Sequence, residues 1–90
     1  LGITRQYRTC RAHLLRECGL LETLAENTQK AQKYFDESIE LAEQQGARRE
    51  RARSQLARAE AGIQFGWPDA EQQATEARQL VQEIENLEGV

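Results

Sequence analysis

The chain has no methionine, one proline, one histidine, one tryptophan and two cysteines in its 90 residues. Each shortage closes off a class of protein. With Pro68 as the single proline, long stretches remain in which nothing interrupts a helix. Two serines, Ser38 and Ser54, and the distant His13 leave no material for a nucleophilic triad. Neither a phosphate-cradling loop nor a glycine-rich dinucleotide turn is present, so no catalysis and no cofactor is expected. No apolar run approaches the roughly 18 residues of a membrane span, and no signal peptide is visible. The chain begins at Leu1 and reads as a piece of a longer, cytoplasmic protein.

Cys10 and Cys18 fall eight residues apart in one expected helix, roughly 12 Å along its axis and too far for a disulfide. They read as small apolar residues of a reducing compartment. His13 and Cys18 point about 140° apart around that helix, so Cys10, His13 and Cys18 make no metal site.

What the chain does have is 12 Ala, 11 Gln, 13 Glu and 10 Arg. These residues lose little rotamer freedom in a helix. An all-α domain follows, with closely spaced, alanine-lined helices and a few large anchors: Leu14, Phe35, Leu56, Ile63 and Leu80. The periodicity fits four helices. The first spans about 4–26 with a stripe of Tyr7, Cys10, Leu14, Cys18, Leu21 and Ala25. The second carries Ala31, Phe35, Ser38 or Ile39, and Ala42, with Tyr34 and Leu41 beside them, is capped by Asn27 or Thr28, and ends at Gly46. The third carries Ala52, Leu56, Ala59 and Ile63 and stops at Gly66. The fourth opens with Pro68 at its first position, and its stripe is Ala70, Ala74, Ala77, Val81, Ile84 and Leu87. Short turns pair the helices as two hairpins, about 4–45 and 48–88, within a single module over 1–90. Periodicity alone fits a stack of hairpins or a compact four-helix bundle.

The two hairpins repeat at about forty residues: Gly19, Ala31, Phe35 and Ser38, then Ala59, Ala70, Ala74 and Ala77. Small residues at matched places mark close backbone approach and favour the stack. On these residues, with Leu15, Gly66 and Pro68, the chain resembles the tetratricopeptide-repeat superfamily. The stretch from Tyr34 to Glu60 looks like the longer repeats of large bacterial regulatory proteins. The resemblance implies a right-handed α-solenoid whose first helices line a concave groove, acting as an interaction scaffold and regulatory module. Two units are fewer than the three or so that usually stand alone. Neighbouring repeats, a partner or self-association as a homodimer would complete them.

Charge alternates along the chain. Residues 1–16 carry +4, 17–47 carry −5, 48–58 carry +4 and 59–90 carry −6, which sum to −3. A groove lined by basic first helices would take an acidic peptide or partner protein through Arg49, Arg51, Arg53 and Arg58. Arg51 and Arg58 share one flank of the third helix, and Arg49 and Arg53 share the other. The plainer alternative is that these arginines pair with acids of neighbouring helices. The basic run 48–53 superficially fits nucleic acid, but its acidic neighbours would repel phosphate. Trp67 is expected to fold over the end of its hairpin, against Phe65 or Ala70.

Overall fold

Three turns of this chain are built alike, and they set the topology. The computed structural model describes residues 2–88, with side chains from 11 to 87. It consists of α1 (Gly2–Leu24), α2 (Thr28–Gln44), α3 (Arg48–Phe65) and α4 (Ala70–Glu88). Each of the first three helices ends in a left-handed residue: Glu26 (φ 62°), Gly46 (67°) and Gly66 (78°). The next residue's N–H then reaches back five residues: Asn27 to Glu22 O at 2.9 Å, Ala47 to Ala42 O at 2.8 Å and Trp67 to Gly62 O at 2.8 Å. These bonds satisfy carbonyls that the helix end leaves open.

Glu26 is the exception to the use of glycine here. A non-glycine residue in this region costs roughly 1–2 kcal/mol, partly offset by the greater entropy that glycine loses on folding. Glu26→Gly is therefore expected to stabilise the chain by about 0.5–1 kcal/mol. The check is a urea titration followed by circular dichroism; an unchanged or lower midpoint would contradict it.

The helices form two antiparallel hairpins, α1–α2 and α3–α4, stacked through α3, which packs on α1, α2 and α4. Among the described residues α4 touches neither α1 nor α2. Among these residues the packing is that of adjacent helices, as in a hairpin stack or a compact bundle, without the α1–α4 contact that would close a ring. The molecule measures 41 × 30 × 18 Å, and its shortest dimension holds two helix layers.

Burial follows the small residues. In the expected stripe of α2, Ala31, Phe35, Ser38 and Ala42 are buried, and Ile39, the alternative to Ser38, is half-buried. Gly19 lets α1 sit directly on Phe35; a Cβ there would lie 2.6–2.9 Å from three ring carbons. The face of α1 that goes inward is consequently Ala12, Arg16, Gly19 and Thr23. The expected stripe faces out, with Leu14 46% and Leu21 65% exposed and Ala25 exposed. Tyr7 and Cys10 of that stripe lie outside the described side chains. In α3, Ala52 and Ala59 are buried as expected, whereas Leu56 is half-buried and Ile63 exposed. Ser54, Ala57, Ala61 and Gly62 are buried as well, because α3 has neighbours on two sides. The α4 stripe is buried at Ala70, Ala74, Ala77 and Ile84, half-buried at Val81 and exposed at Leu87.

Two turn expectations change in detail. Asn27 precedes α2, but its side chain makes no capping bond and donates instead to Glu22 Oε1 at 2.8 Å. Pro68 lies in the turn before α4. The chain needs Asp69 in a left-handed conformation (φ 61°) to enter the helix, which starts at Ala70.

Candidate functional site

Because α2 and α4 do not meet, a groove of about 440 Å³ runs between them with α3 as its floor. Ile39 and Asp36 line it from α2, Gln55 and Arg58 from α3, and Glu76, Ala77 and Leu80 from α4 with Gln73. Helix periodicity places Arg58 on the floor. Ser54, Ala57 and Ala61 of α3 turn toward the first hairpin. Ala52, Ala59 and Gly62 turn toward α4, where a Cβ on Gly62 would lie 3.0 Å from that of Ala70. Arg58 falls between these two small-residue faces.

Its guanidinium is held from two directions. Nε donates to Asp36 Oδ1 at 2.7 Å, and the fork lies over the Trp67 ring at 5.3 Å. Trp67 itself folds over the hairpin end, 5.7 Å from the Phe65 ring and close above Gly62. With Nε taken by Asp36, the remaining N–H donors of Arg58 are what a ligand carboxylate or carbonyl could use. Ile39, Ala77 and Leu80 add an apolar wall beside this donor.

The other arginines go elsewhere. Arg53 lies on the far flank of α3 and pairs with Glu85 of α4 at 2.9 Å. Arg78 approaches Glu60 at 3.8 Å. Arg49 is exposed on the flank of Arg53. Arg51 shares the flank of Arg58 but is half-buried, and its Nε is buried with no hydrogen-bond partner. The structure thus brings Arg58 to the groove with Asp36 and Trp67, partners distant in sequence. It does not bring the four arginines together.

A second polar cluster joins three helices. Arg16, only 7% exposed, donates through Nη1 to Glu50 Oε2 at 2.9 Å and to Ser54 Oγ at 3.3 Å. Ser38 Oγ lies 2.6 Å from Ala12 O, to which it donates, so the 2.7 Å contact between the two serines takes its proton from Ser54. His13 Nδ1 accepts from Arg16 Nη2 at 2.8 Å, and its Nε2 faces Glu17 at 3.7 Å. The donors form one directed chain from Arg16 through both serines to the α1 backbone. Its geometry is structural, tying α1, α2 and α3 together.

No helix among the described residues is long and apolar enough to cross a membrane. No family model, curated protein or solved structure matches the chain.

Proposed function

We propose that this module is a protein-interaction scaffold of the tetratricopeptide-repeat type within a larger regulatory protein, receiving a segment of a partner in the α2–α4 groove, which second helices wall and α3 floors, and not in a groove lined by first helices. The observation that carries this reading is the pairing of a fixed donor with an apolar wall. Arg58 is oriented by Asp36 and Trp67 before any ligand arrives, so binding spends little on ordering it. Ile39, Ala77 and Leu80 supply the desolvated patch on which a peptide side chain gains its energy. Asp36 and Glu76 would repel a run of acids, so the segment that fits carries one acidic residue beside an aliphatic one. The face bearing Arg49 and Arg53 is a weaker candidate, because Arg53 is occupied by Glu85.

Selection of displayed peptides on the 90-residue chain tests the reading. Enriched peptides should combine an aliphatic and an acidic residue. Their affinity should fall about tenfold or more with Leu80→Glu and with Arg51→Glu/Arg58→Glu, at unchanged helical circular dichroism. Arg49→Glu/Arg53→Glu should change it little. Peptides that bind the parent and Leu80→Glu equally well would remove the groove from consideration.

A further inference from the structure

Leu14, Cys18, Leu21 and Ala25 follow the 4-3-4 spacing of a coiled-coil seam. They lie on the side of α1 turned away from the buried Ala12, Arg16, Gly19 and Thr23. Leu14 and Leu21 are exposed, Cys18 is half-buried, and Leu24 beside them is 79% exposed. The fold itself says what this side of a first helix is for. A forty-residue step relates α1 to α3, taking Ala12 to Ala52 and Gly19 to Ala59. The same step takes the seam to Ser54, Arg58, Ala61 and Phe65. In α3 these residues meet the preceding hairpin: Ser54 bonds Ser38, Arg58 pairs with Asp36, and Ala61 and Phe65 pack with Ala31 and Phe35. On α1 two of the equivalent positions, Leu14 and Leu21, hold larger aliphatic side chains, and both are exposed.

We propose that the occupant is a second copy of this chain, with α1 packed antiparallel on α1 about a two-fold axis. Two observations select this arrangement. The opposite end of the stack offers no matching seam: Glu71, Gln72, Thr75, Gln79, Gln82 and Glu83 leave the outer face of α4 polar, and the exposed Ile63, beside Ala70, and Leu87 lie at opposite ends of that helix. Head-to-tail stacking of copies therefore lacks a second continuous apolar surface, whereas an isologous contact needs only one. Charge along the seam sets the direction. Arg11 and Glu22 lie on the same flank, three turns apart at opposite ends of the apolar stretch. An antiparallel pair sets Arg11 of each copy toward the acidic end of the other, while a parallel pair would set Arg11 against Arg11. Cys18 then sits within a turn of the axis. This contact is separate from the α2–α4 groove and stands or falls without it.

Light scattering behind size-exclusion chromatography, from low to high micromolar protein, reads the result directly. The expected outcome is a mass of two copies at high concentration. Leu14→Glu/Leu21→Glu should raise the dissociation constant at least about 100-fold with helical content unchanged. Arg11→Glu should weaken the pair, and Arg11→Glu/Glu22→Arg should recover it. In a Cys10→Ser background a short bismaleimide should link the two Cys18 thiols, and the leucine substitutions should abolish the link. A chain that is monomeric throughout overturns the proposal, as does a dimer indifferent to Leu14→Glu/Leu21→Glu. Failure of the charge exchange to restore Arg11→Glu overturns the antiparallel arrangement.

Discussion

Phe35→Ala is expected to remove about 3–5 kcal/mol of folding stability, a large part of the roughly 5–13 kcal/mol available to a domain of this size. Phe35 is fully buried, and among the described residues it is the largest apolar side chain of a core whose other buried hydrophobics are alanines and Ile84. Ala31, Ala57 and Ala61 around it cannot rearrange to fill the space its ring would vacate. The substitution has an informative partner at Gly19. Alanine in mid-helix is worth about 1 kcal/mol over glycine, yet at Gly19 its methyl would collide with the Phe35 ring. Gly19→Ala should therefore destabilise the parent chain and stabilise the Phe35→Ala variant. Four urea titrations close the cycle. A Gly19→Ala effect of the same sign in both backgrounds would show that the ring does not set the α1–α2 distance.

Arg16→Met should cost about 2–4 kcal/mol, although methionine fills much of the same volume. Removal of the guanidinium leaves Ser54 Oγ, fully buried, without the donor it accepts from. It also leaves the Glu50 carboxylate, whose side chain is 28% exposed, without its ion partner. Partial hydration of Glu50 keeps the expected loss below that of a fully buried pair. Removing both charges is expected to be gentler than removing one: Arg16→Met/Glu50→Met should recover at least half of the loss. Thermal or urea unfolding of the three variants distinguishes the outcomes. A double variant less stable than Arg16→Met alone would mean that Glu50 acts in the fold apart from Arg16.

The α2 stripe was legible because one period-3.6 face carries all of its burial, and the forty-residue repeat pointed to the hairpin stack. The α1 face was not legible from hydrophobicity. Close approach of two backbones demands the smallest residues, so Gly19 and Ala12 went inward while the leucines of the same helix stayed out. The repeat had already marked Gly19, and that signal outweighed the apolar stripe. On α3 burial from two sides spreads Ala52, Ser54, Ala57, Ala59, Ala61 and Gly62 around the helix, where a one-face reading recovers only part of them. Within the groove, Arg58 was readable as a candidate. Its orientation by Asp36 and Trp67 was not, because the three residues sit on different elements and no spacing rule links them.

The pattern of neighbours also ranks the helices by how easily each comes loose. Among the described residues α3 touches all the other helices, whereas α4 touches α3 alone. Detaching α4 breaks one interface and leaves the three-helix contact of α1, α2 and α3 intact, so it is the least costly partial opening the architecture allows. Since α4 forms one wall of the groove, a partner held there would act as a clasp. It would bridge α4 to α2, a connection not made among the described residues, and so couple occupancy to the cooperativity of the whole fold.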